Sequence, residues 1–92
     1  MIIFSAELRI HIPHAMSLKD KRQVAKSIIG KTRHKFNLSI AEVDTQDVHQ
    51  MLTIGLAIVS EGYSHGKQVM DEIIRYMEEN VEGEVVEITM DS

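Results

Sequence analysis

The chain has no cysteine and no tryptophan, and only one proline. The lack of cysteine excludes disulfides, thiolate metal sites and thiol nucleophiles. No apolar run reaches the ~18 residues of a membrane-spanning helix, so we expect no membrane segment. The opening residues, MIIFSAELRI, lack the basic start of a signal peptide, and charges appear by Glu7 and Arg9. We therefore expect a cytoplasmic protein whose 92 residues form a single domain, 1–92.

Charge is divided unevenly along the chain. The net charge is −4, yet residues 1–35 carry eight basic and two acidic side chains, whereas residues 36–92 carry two basic and twelve acidic ones. Seven of the ten basic residues lie in the segment SLKDKRQVAKSIIGKTRHKF, residues 17–36. This split predicts two faces of opposite sign, one suited to a polyanion or to the acidic face of a second copy.

Hydrophobic periodicity predicts six elements. Strict alternation from Ile2 to Ile12 indicates a strand with one buried face, which Pro13 ends. Ser17 is suited to cap a helix, and Asp20 follows three residues later in a pattern close to a capping box. The predicted elements are strand 2–12, a helix from Ser17 toward Asn37, strand 38–44, strand 51–59, a helix within 61–80 and strand 84–91.

The order β-α-β-β-α-β indicates the α+β class. With right-handed crossovers it gives a ferredoxin-like plait, a four-stranded antiparallel sheet of order 4-1-3-2 with both helices on one face. In that topology the start of the first helix and the hairpin at 44–50 meet at one edge of the sheet. We call this place the hairpin edge, and its candidate residues are His14, Ser17, Lys21, Asp44, Asp47 and His49.

The hairpin edge has three interpretations. Free amides at the helix start, beside Lys21, are suited to an anion such as phosphate. Two histidines and two carboxylates are residue types that ligate metals or transfer protons. Alternatively, Asp44 or Asp47 only pairs with a cation of residues 14–22, and we expect such an ion pair. Because the sequence has no nucleophile arrangement, glycine-rich phosphate loop or strong metal spacing, we expect no catalytic activity, no metal and no cofactor.

A basic stripe runs along the first predicted helix. Its members fall within about 60° of each other at 100° per residue; they are Lys19, Arg22, Lys26 and Arg33. Such a row can contact the phosphates of an RNA, or it can be a solvated face that only keeps the protein soluble. The sheet itself lacks the aromatic residues that an RNA-recognition motif stacks on bases, so we expect any RNA contact to depend on charge and shape.

The segments SLKDKR, AEVDTQDVHQ and IGLAIVS together resemble the YlxP-like family of small bacterial proteins, over nearly the whole chain. The resemblance implies a ferredoxin-like fold. It also implies a link to ribosome maturation or translation, because the genes of the family are often found beside those for translation initiation factor two and ribosome-binding factor A. It supplies no catalytic residue. The chain departs from the commonest pattern at His49, where many members have an aromatic residue.

The expected function is therefore that of a non-enzymatic accessory factor that contacts ribosomal RNA or a ribosome-bound factor through the basic stripe. The alternative is a small homodimeric ligand-binding or regulatory module with an anion at the helix start. The third predicted strand is apolar or small on both faces, with Thr53, Gly55, Ala57 and Val59 expected on the open face beside Ile3. We expect a homodimer, through that face or through an edge strand, to cover it.

Overall fold

The computed structural model describes residues 1–45 and 47–91. The elements are β1 (Ile2–His11), α1 (Leu18–Lys35), β2 (Ser39–Glu42), β3 (Met51–Ser60), α2 (Tyr63–Asn80) and β4 (Glu84–Asp91). Their order and type agree with the prediction, and most boundaries fall within two residues of it. The second strand is shorter than predicted, and α1 ends one residue earlier, at a cap formed by Phe36 instead of Asn37. Gly30 does not interrupt α1, which is continuous.

The sheet has the order β2-β3-β1-β4, which is the predicted order read in reverse, and the three strand pairs are antiparallel. The ferredoxin-like plait is therefore confirmed. β1 and β3 pair over ten residues each, from Ile2 opposite Ser60 to His11 opposite Met51. β2 and β4 are the two edges of the sheet. The β1–β4 pairing shifts register between Arg9 and Ile10, which marks a bulge near the start of β4.

Both helices cover the same face of the sheet, which we call the helix face; the opposite one is the open face. α1 packs on β2 and β3, and α2 packs on β3 and β1. The core lies between these layers and consists mainly of alternate residues of β1 and β3, such as Leu8, Ile10 and Ile54, with Ile28 of α1 and Ile73 of α2. No helix in residues 1–45 and 47–91 is both long and apolar enough to cross a membrane.

The exposure of the apolar residues differs from the expectation in two places. Thr53 lies on the open face as expected, opposite Arg9, but it is only 3% exposed, because the hairpin covers this part of the face: the Thr45 hydroxyl contacts that of Thr53, and the side chain of Val43 lies against Gly55. The open apolar strip is therefore reduced to the cross-strand pair Ile3 and Val59 at the far end of the sheet. Met90 has the alternating position typical of a core residue but is 39% exposed, because α2 packs mainly on β1 and β3.

Candidate functional site

Lys21 is the most buried charged residue at the hairpin edge. It lies on the core side of α1, and only 1% of its side chain is exposed. Its ammonium group donates to the carbonyl oxygens of Thr45 at 2.6 Å and Met51 at 3.3 Å. It also forms an ion pair with Glu42 Oε2 at 3.1 Å. A buried ammonium is tolerated only with such partners, so Lys21 joins α1 to the β2–β3 hairpin.

The start of α1 is capped by its own side chains. The Ser17 hydroxyl accepts a hydrogen bond from the backbone N–H of Asp20, and the Asp20 carboxylate accepts one from the N–H of Met16. This is close to the predicted capping box. In a capping box, Asp20 would accept from the N–H of Ser17, whereas here it accepts from that of Met16, one residue earlier. The Asp20 carboxylate also complements the positive end of the helix dipole. An external anion would have to compete with this carboxylate for the same end of the helix.

The hairpin itself is held by three further contacts. Thr45 has φ 58°, a left-handed conformation that is costly for a β-branched residue. Its backbone N–H donates a hydrogen bond to the Asp44 carboxylate at 3.0 Å, and its hydroxyl oxygen lies 2.9 Å from the hydroxyl oxygen of Thr53. The amide of Gln50 donates to the carbonyls of Pro13 and Ala15. These contacts and Lys21 together hold the strained backbone in place.

The hairpin lies at the edge where the topology places it, next to residues 12–21. The expected carboxylate, however, was wrong. Within residues 1–45 and 47–91, neither Asp44 nor Asp47 forms an ion pair; Asp44 instead caps the Thr45 amide, and Glu42 pairs with Lys21. Glu42 is nearer to Lys21 because it is the last residue of β2, which packs against α1. Asp44 and Asp47 lie farther out on the hairpin and are exposed.

The remaining hairpin-edge residues are exposed. His14 lies on the loop after β1, in a shallow depression that also contains the side chains of Asp20 and Glu82. His49 lies on the hairpin. Across the described part of the chain, no three His, Asp or Glu side chains are grouped so as to hold a metal ion. The negative charge beside His14 also makes this depression unsuitable for a phosphate.

The basic stripe lies on an exposed side of α1. Lys19, Arg22 and Lys26 are exposed, and so is Arg33, whose guanidinium donates to the Ile40 carbonyl of β2 at 3.1 Å. That contact shows that the stripe lies along the β2 edge, away from α2. From residue 19 to residue 33 the helix rises about 21 Å. The stripe is therefore a continuous row of positive charge along one edge of the domain.

The four aromatic side chains of the chain lie on the helix side of the sheet. Tyr63 contacts Phe4 at a ring-centroid distance of 5.4 Å, and Phe36 packs edge-on against Tyr76 at 5.6 Å. The ammonium of Lys35 lies 4.9 Å from the centre of the Tyr76 ring. The open face therefore offers no aromatic platform on which bases could stack.

Comparison with known proteins shows the family of this chain. Residues 3–90 match the family described as "Protein of unknown function (DUF503)". This chain belongs to the DUF503 family. A DUF503 relative, the "Uncharacterized protein YlxP" of Bacillus subtilis (strain 168), is 34% identical over 73 residues, which cover 79% of each chain. The resemblance to YlxP-like proteins is thus confirmed. A solved structure, the de novo designed protein Ferredog-Diesel, aligns over 99% of this chain and 85% of its own at 12% identity, with a TM-score of 0.45.

The segments SLKDKR and AEVDTQDVHQ, on which the resemblance was based, contain two kinds of residue. Some build the hairpin edge: Ser17 and Asp20 cap α1, and Lys21 and Glu42 pair inside it. Others are exposed and make no such internal contact among the described residues; they are Lys19, Arg22, Asp47 and His49. A recognisable segment is therefore not by itself a functional site, and the exposed residues are the ones that can contact a partner.

Sequence reasoning missed two contributors to the hairpin edge, Glu42 and Gln50. A signal for Glu42 was present, because it is the polar end of a strand that the topology places next to the start of α1. Gln50 carried no signal, since its contacts are to backbone carbonyls that are distant in sequence.

Proposed function

We propose that this DUF503 protein is a non-enzymatic accessory factor that contacts RNA through the basic stripe. The observation that carries the proposal is the exposure of four cations in one row on α1, on the side opposite to α2 and its carboxylates. Phosphate oxygens accept hydrogen bonds from Lys and Arg, and neutralising them releases counterions. The link to translation implied by the family resemblance selects ribosomal RNA as the first RNA to test.

Three further features support this reading. Lys21 and Glu42 neutralise each other within the domain, so Glu42 does not cancel the charge of the stripe. Arg33 uses one nitrogen for Ile40, and a guanidinium has further donors left for a phosphate. The open face lacks aromatic platforms, so binding would follow phosphate positions instead of base sequence. No observation favours the alternative of an anion-binding module, because the Asp20 carboxylate already lies at the helix start.

The test is a salt series measured by fluorescence anisotropy with a labelled RNA duplex. Four phosphate contacts predict a slope of log K against log salt near −3.6. The variant Lys19→Glu/Lys26→Glu removes two contacts and should weaken binding and reduce the slope by about 1.8. The matched control is Lys67→Glu/Arg75→Glu, which changes the net charge equally but on α2. Equal losses in the two variants, or no binding at low salt, would remove the proposal.

A second experiment addresses the ribosome. Co-sedimentation with small ribosomal subunits, and separately with their naked RNA, is carried out at low and at moderate salt. Binding to both, weakened by salt and by Lys19→Glu/Lys26→Glu, is the expected result. Binding to subunits but not to naked RNA would instead indicate a ribosome-bound protein as the partner of the stripe.

A further inference from the structure

The two edges of the sheet are protected very differently. β2 is four residues long, and Arg33 covers one of its carbonyls. β4 is eight residues long and, in the part of the chain that the structure describes, pairs with β1 on one side and with no strand on the other. Exposed edge strands are usually short, charged or covered, because their free backbone groups can pair with another chain. The bulge near Arg9 protects the start of β4, which leaves its second half, from Glu87 onward, regular.

The same half of β4 exposes an apolar row on the helix face. Ile88 pairs with Leu8 and Met90 with Ala6, so both lie on the helix face of the sheet, where they remain 40% and 39% exposed. Among the described residues, neither helix packs extensively against β4; only the start of α2, at Tyr63 and Lys67, borders its end. Tyr63, at the start of α2, is 54% exposed beside this row. Isolated exposed apolar residues need no explanation, but a row on an unpaired edge does.

Two of the three alternate residues in this half of β4 are acidic. Glu87 and Asp91 lie on the open face, separated by Thr89. Arg9 of β1 forms an exposed ion pair with Glu87 at 3.6 Å and neutralises part of this charge, but the segment 61–91 as a whole contains nine acidic and two basic side chains. The edge therefore alternates apolar residues toward the helices with carboxylates toward the open face.

We propose that the β4 edge accepts an extended segment of another protein as a fifth strand, with apolar residues at alternate positions and Lys or Arg between them. Strand addition would pair the free backbone groups of β4. Apolar side chains of the partner would lie beside Ile88 and Met90, and its cations opposite Glu87 and Asp91, as cross-strand pairs in sheets do.

Charge decides between this partner and a second copy. Pairing β4 with β4 of another copy would bring two strongly acidic regions together, and like charges across an interface are destabilising. A basic segment would pack against the same apolar row and would place its cations beside the carboxylates of β4. A depression of about 220 Å³ lies at the end of the row, between Phe4, Tyr63 and Met90, with Lys67 and Asp91 at its rim. It offers room for one apolar side chain of the added strand.

Strand addition at β4 does not depend on RNA binding. β2 and β4 are opposite edges of the sheet, and the basic stripe lies along β2. The two surfaces can therefore be occupied at once, and the charge reversal on α1 should leave the β4 edge unchanged.

The test uses the full chain and a synthetic peptide, Lys-Val-Thr-Val-Lys-Val-Thr-Val-Lys. Binding is followed by the backbone amide signals of the protein in nuclear magnetic resonance spectra. Two control peptides are the same sequence with Glu at each Lys, and the same composition with its alternation scrambled. We expect the signals of β4 to shift with the first peptide, and both controls to bind at least about tenfold more weakly. Similar binding of the Glu peptide, or shifts confined to other surfaces, would overturn the proposal.

Two matched variants locate the site. Ile88→Lys introduces a charge into the row, whereas Val59→Lys introduces the same charge at an exposed position on the open face. The first should abolish peptide binding and the second should not. Met90→Lys repeats the test at a second position if Ile88→Lys disturbs the circular dichroism spectrum. A self-associated wild-type chain that becomes monomeric only with Ile88→Lys or Met90→Lys would assign β4 to a second copy and refute the peptide partner.

Discussion

Replacing Lys21 by Met should strongly destabilise the domain. The substitution keeps the aliphatic bulk but removes the ammonium, so that the Glu42 carboxylate, only 21% exposed, loses its counterion and two carbonyls lose a donor. Breaking one partner out of a buried ion pair typically costs about 3–5 kcal/mol. Domains of this size have a free energy of unfolding of roughly 5–14 kcal/mol, so a large fraction of the stability should be lost.

Urea denaturation followed by circular dichroism measures this loss. With a slope of about 1.5 kcal/mol/M, a change of ~4 kcal/mol lowers the midpoint by roughly 2.5 M. The informative comparison is Lys21→Met/Glu42→Leu, in which neither charge remains. The double variant should recover about 2 kcal/mol or more of the loss, because no unpaired carboxylate is left in the half-buried site. A loss below about 1 kcal/mol for Lys21→Met, or no recovery in the double variant, would refute the assigned role of this ion pair.

Other predictions concern the helices and self-association. Gly30→Ala should raise the free energy of unfolding by about 1 kcal/mol, since no atom lies within 4 Å of the added Cβ, and thermal denaturation will measure this. Gly66→Ala should lower it by about 1–3 kcal/mol, because the added Cβ would overlap the Phe4 ring and lie 2.7 Å from Ser60 Cβ; equal effects of the two substitutions would contradict the packing of α2 on β1. Self-association through Ile3 and Val59 stays a prediction: sedimentation equilibrium at micromolar concentration should give a mass above 10.5 kDa that Val59→Lys reduces, and a wild-type mass of 10.5 kDa would remove it.

The fold was predictable because local signals and topology agreed. Alternation in β1, the proline that follows it and the Ser17 cap each indicated an element of the correct type. The chirality of the crossovers then left one arrangement of the sheet. That arrangement correctly brought residues 14–22 to the hairpin, although the two segments are more than 20 residues apart in sequence.

The contacts within the site were less predictable. Charge and the predicted topology suggested Asp44 or Asp47 as the partner of a cation in residues 14–22, but in the structure the ion pair joins Lys21 to Glu42. The period of two along β4 identified which face its apolar residues share, but not whether a helix covers that face. Coverage depends on where α2 crosses the sheet, and that position follows from the packing of many residues instead of from any single segment.

The basic residues of the segment SLKDKR have different structural roles, and this affects how binding residues can be identified in this family. Lys21 is buried at 1% exposure and its neighbours Lys19 and Arg22 are exposed, although all three are basic and adjacent in sequence. If the basic stripe binds RNA as proposed, removing Lys21 would weaken that binding by destabilising the hairpin edge, and a loss of binding in that variant would not identify a contact. Removing Lys19 should instead reduce the salt slope by about 0.9 without changing the urea midpoint. A residue that contacts RNA should therefore change the salt slope without changing the urea midpoint, whereas a residue that only stabilises the fold should change the midpoint.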